Sequence, residues 1–274
     1  MGEDVTEARR PVVLLVAFGT TIPEAKVAFR RIEERARERF PDAEVRWAYT
    51  SKIVRRRLAA QGTDLDSPEI ALARLMDEGH REATLLSLHV FPGREFHDLN
   101  HNVQLFSKMA KGLARLPLAK PLLSSYEDLE RVASVLLDHL PAGRGRSEAV
   151  ILVGHGNQAH PADMVYTAMA HVLSRRDPLV LVGTIQGKPG INEIVSQLQT
   201  LGVTKAWLMP FMAVAGEHAR KDMAGDQPAS WKSILSAHGI ECHVQLKGLA
   251  EIPAVVDIWL DHLREAASRA TGVE

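Results

Sequence analysis

The chain has 274 residues, enough for one large α/β domain or two of about 100–150 residues each, and two are expected. Lys and Arg total 33 against 34 Asp and Glu, so no global field favours nucleic acid or an anionic membrane, and charge-based recognition must be local. One cysteine, Cys242, rules out an internal disulfide and cysteine-based zinc spacings, which leaves histidine and carboxylate as metal ligands.

Residues 12–18 form the first apolar stretch, after a charged leader and without a small-residue cleavage pattern, so they read as a strand rather than a signal peptide. The single cysteine fits a cytoplasmic chain; a periplasmic mature form stripped of its leader would look the same. No apolar run approaches the roughly 18 residues needed to span a bilayer. Met1, Gly2 and Thr6 match a myristoylation pattern, a coincidence expected of so short a motif among acidic neighbours. In chain order, β-branched runs at 12–17, 44–49, 83–88, 149–153, 179–182 and 205–212 alternate with segments of helical period. That alternation predicts parallel sheets covered by helices. Residues 141–147, rich in Gly and Arg, separate the two sets of runs and read as a linker. The predicted units are an N-terminal α/β domain at 1–140, a second at 147–250, and a C-terminal amphipathic helix within 251–274 that packs back on the first domain. The halves also echo each other. Val13 to Thr20 parallels Val150 to Asn157, Trp47 to Ser51 parallels Leu181 to Ile185, and Gly93 to His97 parallels the turn at Gly216, Glu217 and His218. Three echoes in the same order, each at a strand exit, favour a duplicated unit with the cleft between copies lined by corresponding loops.

Strand exits are where α/β proteins bind ligands, so the chemistry is sought there. His155 stands between Gly154 and Gly156, and His218 follows the apolar strand ending at Met212; two imidazoles from separate elements suit one metal or acid/base site. Glu95 occupies the place that echoes Glu217 and His218. It reads either as a ligand or base, or as a first-turn glutamate stabilised by the helix dipole. His89, His101, His160 and His171 read as packing or surface histidines. Arg30, Arg31 and Arg39 read as a solvated face; Arg55, Arg56 and Arg57, just past a strand exit, are placed to help hold an acidic substrate. No GxGxxG after a strand, no GxxxxGK[ST] and no nucleophile elbow is present, which argues against nucleotide and serine-hydrolase functions.

At these residues the chain resembles the class II chelatases of tetrapyrrole biosynthesis, and within them the anaerobic cobalt chelatases that act on sirohydrochlorin. The resemblance runs through residues 15–20, 49–51, 87–89 with 93–95, 153–156 and 182–184, and is most specific from Met209 to Lys232. It implies two similar α/β domains, each a four-stranded parallel sheet between helices, with the active site in the cleft. His155 and His218 match metal-binding or catalytic histidines, and Glu95 an acidic site residue. At Gln186 the family commonly has a metal-binding glutamate; an amide offers a carbonyl oxygen but neither charge nor basicity. Arg94 and Arg220 neighbour the site loops and could meet substrate carboxylates. The implied reaction is Co²⁺ insertion into sirohydrochlorin for cobalamin synthesis; a homo-oligomer is expected. Fe²⁺ insertion toward sirohaem and a metal- or tetrapyrrole-binding protein without turnover are the alternatives. Some relatives with a Gly-x-Glu-Phe-His stretch bind haem, which nominates His97 as an axial ligand; a solvent-facing histidine early in a helix is the other reading.

Overall fold

The computed structural model describes residues 10–110, 112–157 and 160–271; the myristoylation-like pattern lies outside them. The chain forms two four-stranded sheets, parallel throughout. The first has the order β2-β1-β3-β4, from β1 (Val12–Ala17), β2 (Glu44–Tyr49), β3 (Ala83–Ser87) and β4 (Leu118–Ala119). The second repeats it as β6-β5-β7-β8, from β5 (Ala149–Gly154), β6 (Val180–Thr184), β7 (Lys205–Pro210) and β8 (Glu241–Val244). Their helices are α1 (Pro23–Arg39), α2 (Lys52–Ala59), α3 (Pro68–Asp77), α4 (Arg94–Ser107) and α5 (Tyr126–Asp138), then α6 (Met164–Ser174), α7 (Ile191–Thr200), α8 (Trp231–Ala237) and α9 (Pro253–Thr271). No helix among the described residues is long and apolar enough to cross a membrane.

The central strands β1 and β5 are buried along their whole length, as strands covered on both faces must be. Alternation then sorts their side chains. Val12, Leu14 and Val16 face α3 and α4, with Leu72, Leu75 and Leu99, on one outer face. Ile151 and Val153 face Ile194, Leu198 and Trp231 of α7 and α8 on the other. Val13 and Leu15, with Val150 and Leu152, point inward to a single core that also contains residues of α1, α5, α6 and α9. One continuous core therefore ties the halves together. Helix α9, although last in the chain, packs on β3, β4 and α5 of the first half.

The duplication extends to the hydrogen bonds. The Thr50 and Ser51 amides donate to the Ala17 and Phe18 carbonyls, and the Ile185 and Gln186 amides donate to those of Gly154 and His155. Phe18 thus corresponds to His155, and Ser51 to Gln186, one residue beyond the pairing of Ser51 with Ile185 that the sequence suggests. Backbone pairing sets this register, and side-chain composition does not report it. The fourth strand of each sheet produces no distinct apolar run: β4 is two residues long between prolines, and β8 is an edge strand without fully buried positions.

Candidate active site

The C-terminal ends of the strands of both halves meet at one cleft. The Arg57 guanidinium of α2 donates to Glu217 at 3.1 Å, and Arg220 reaches Glu24, in the first turn of α1, at 3.4 Å. Phe91, after β3, packs edge-on to Tyr166 of α6 with centroids 5.1 Å apart. The loops leaving β1, β2 and β3 are thereby held against those leaving β5 and β7.

His155 is presented by a turn that only glycines permit. A Cβ on Gly154 would lie 2.1 Å from the Tyr166 ring, and Gly156 has φ of +75°, in the left-handed region. The Tyr166 hydroxyl accepts from the Gly156 amide at 3.3 Å, and burial pushes its pKa upward, so it remains a neutral phenol. Asp163 accepts from the Asn157 amide with both oxygens at 2.8 Å. His218 precedes a single π turn, Ala219–Met223, which the Ala224 amide closes onto the Ala219 carbonyl at 3.1 Å. Such turns recur at functional sites.

The imidazoles of His155 and His218 lie with centroids 4.6 Å apart and planes at 78°. Each ring has its Nδ1 beside an acceptor: the Gly156 carbonyl at 2.9 Å for His155, and the Asp222 carboxylate at 2.5 Å for His218. A carbonyl or carboxylate oxygen can only accept, so in the neutral ring Nδ1 holds the proton and Nε2 offers its lone pair. This is how metal-binding histidines are set, with an outer acceptor fixing tautomer and ring orientation. At metal–nitrogen distances of about 2.0–2.1 Å, two imidazoles on one ion have centroids roughly 4.5–5.5 Å apart, which the observed separation fits. In the sequence, the only signal of Asp222 is its offset of four from His218.

Other sequence-nominated residues are placed differently. Gln186 is exposed, joined to the site through its amide to the His155 carbonyl at 2.8 Å. Glu95 is exposed in the first turn of α4, where the helix dipole favours a carboxylate. Among the described residues no three His, Cys, Asp or Glu side chains converge on a metal position, so neither Glu95 nor another carboxylate completes the pair in this arrangement. Arg94 is exposed and lies 3.9 Å from Asp98, while Arg220 is spent on Glu24 and the Ala215 carbonyl. Arg55 is half-buried, with its Nε shielded from solvent and without a hydrogen-bond partner. His97 lies on the exposed side of α4, its ring 5.6 Å from that of His160 and 5.9 Å from that of Phe96, and the haem reading finds no support there. His160 accepts the Ala162 amide at Nδ1, so its neutral ring holds the proton on Nε2 and has no lone pair to offer. His89, read as a packing histidine, has Ser87 Oγ 2.8 Å from its Nδ1 and a buried Nε2 without a partner, and burial lowers its pKa to about 4.

The cobalt chelatase (CbiK) family model matches residues 11–268. The chain belongs to the cobalt chelatase family. Sirohydrochlorin cobaltochelatase CbiKC of Nitratidesulfovibrio vulgaris is 45% identical over 256 residues, 93% of this chain and 90% of that protein. The sirohydrochlorin cobaltochelatase of Salmonella typhimurium is 33% identical over 95% of this chain and 98% of its own. Among solved structures, SirB from Bacillus subtilis with Fe³⁺ aligns at TM-score 0.63 and 17% identity, covering 96% of this chain and 98% of that one. That likeness establishes the fold as the two-domain chelatase architecture.

Proposed function

We infer that this cobalt chelatase inserts Co²⁺ into sirohydrochlorin, with His155 and His218 as the groups that hold the ion and release it to the ring. The observation that carries the reading is the pair of Nε2 lone pairs, each fixed by an acceptor at its own Nδ1. Charge balance frames the chemistry: one divalent ion enters the macrocycle as two pyrrole protons leave. Two neutral imidazoles bind a borderline ion such as Co²⁺ without the thiolate grip that would oppose release. The same set suits Fe²⁺, so competition between the two ions, rather than ligand type, decides the metal.

Glu95 stands at the position in the first half that corresponds to His218 in the second, and is the residue of that half suited to accept a pyrrole proton. Sirohydrochlorin carries several carboxylates, for which Arg94, Arg220 and Arg55, all in segments that follow strand exits, are the guanidinium groups at hand. Gln186 adds no charge, which leaves the metal on two imidazoles and solvent or substrate atoms. The reading includes a cytoplasmic location and self-association, which fractionation and solution mass respectively test.

The direct assay is incubation of purified protein with sirohydrochlorin and Co²⁺ while the absorption spectrum is followed. Conversion to the cobalt complex above the spontaneous rate supports the enzyme. Binding of the tetrapyrrole without faster conversion favours a carrier.

A further inference from the structure

The duplicated register gives the first half counterparts to His155, Gln186 and His218, at Phe18, Ser51 and Glu95. Phe18 leaves β1 as His155 leaves β5, and each is followed by a glycine in the left-handed region, Gly19 with φ of +97° and Gly156 with +75°. A Cβ on Gly19 would lie 2.4 Å from the Tyr49 ring, so this turn is as tightly specified as its partner. The first half therefore presents an aromatic ring where the second presents a metal ligand. Phe18 is 52% exposed, unusual for a phenylalanine at the end of a fully buried strand.

Its neighbours locate it on the cleft. Strand β1 lies between β2 and β3, and the segments that follow all three contact the second half: Glu24 after β1 and Arg57 after β2 reach the His218 loop, and Phe91 after β3 packs on Tyr166 behind His155. We propose that Phe18 is a substrate-positioning residue whose ring packs on the face of the tetrapyrrole macrocycle, holding it toward the ion on His155 and His218. The proposal rests on the reading that the chain binds sirohydrochlorin. A flat conjugated ring system is the ligand for which an exposed aromatic at this place is complementary, through stacking and exclusion of water. Facing a metal-loaded imidazole pair with an apolar platform also avoids a second ion-binding site competing for the same Co²⁺.

The test is titration of wild type, Phe18→Ala, Phe18→Trp and Leu105→Ala with metal-free sirohydrochlorin, followed by absorbance, with Co²⁺ calorimetry and solution mass on each. Leu105 is as exposed as Phe18 but lies toward the far end of α4. Loss of one stacking side chain should weaken tetrapyrrole binding of Phe18→Ala about ten-fold, by analogy with base–aromatic stacking. Phe18→Trp should retain affinity, Leu105→Ala should match wild type, and Co²⁺ affinity should be unchanged in all four. Wild type that binds sirohydrochlorin without metallating it would overturn the proposed reaction and leave Phe18's role standing. Equal tetrapyrrole affinity of Phe18→Ala and wild type, a change of oligomeric mass in its place, or a wild type that does not bind sirohydrochlorin would overturn the proposal.

Discussion

Asp222 Oδ2 and the Gly156 carbonyl decide what His218 and His155 can do, because each fixes which nitrogen carries a proton. Removing the outer acceptor of a metal-binding histidine typically costs about 10- to 100-fold in metal affinity or activity, so Asp222→Ala should weaken Co²⁺ binding within that range. Asp222→Asn retains an oxygen that can accept from Nδ1 and should recover part of the loss; calorimetry on the three proteins checks both. A second residue-scale prediction concerns Gln186, whose amide nitrogen is anchored 2.8 Å from the His155 carbonyl. Replacing Gln186 with Glu puts a charged oxygen ligand beside the pair and should tighten Co²⁺ binding, measurable in the same experiment; unchanged affinity would place the side chain outside the ion's reach. Of this site, the two histidines were legible in the sequence because glycines and strand ends frame them. Asp222 was not, since an aspartate four residues along reads as helix surface until the π turn is seen. Among the three arginines past β2, Arg57 is bound to Glu217 and Arg55 is half-buried, a difference set by packing that a run of like residues does not report.

Helix α9 is fastened to the first half by a buried polar cluster. His262 Nε2 lies 3.0 Å from Asp128, which also accepts from Lys120 at 3.1 Å and from the Ser124 amide at 3.2 Å; Asp128 and His262 are 2% and 1% exposed. Burial opposes the Asp128 charge, but the Ser125 hydrogen bond and the charges of His262 and Lys120 outweigh it and lower its pKa. Burial also lowers the pKa of His262, by more than Asp128 raises it. Both groups bind fewer protons folded than unfolded. Stability should therefore fall on acidification, first below the ordinary imidazole value of 6.5 and further through the carboxylate range near 3.8. Asp128→Asn should cost about 1.5–3 kcal/mol at neutral pH, the worth of hydrogen bonds to a charged group, and abolish the loss through the carboxylate range while leaving the imidazole step in place. Urea denaturation at neutral pH, at about pH 5 and at about pH 3 separates the two steps. The amphipathic period of α9 was readable from Val255, Val256, Trp259 and Leu263; the partner that anchors it, Asp128, lies 134 residues away and belongs to no local pattern.

At the scale of the molecule, a duplicated sheet presents His155 and His218 in one half, and an aromatic and a carboxylate, Phe18 and Glu95, at the corresponding places in the other. The two sheets and their parallel order followed from the alternation of buried runs, because strands covered on both faces must be apolar throughout. The exact correspondence of Ser51 with Gln186 did not, since a shift of one residue leaves composition unchanged while moving every side chain to the other face. Whether His155 and His218 act on one ion as a unit is read most directly from steady-state Co²⁺ insertion by His155→Ala, His218→Ala and the double variant. Groups that act together are strongly non-additive. Each single variant should lose about 100-fold or more in turnover, and the double variant little beyond that. Losses that multiply in the double variant, or near-normal turnover in either single one, would contradict a shared site.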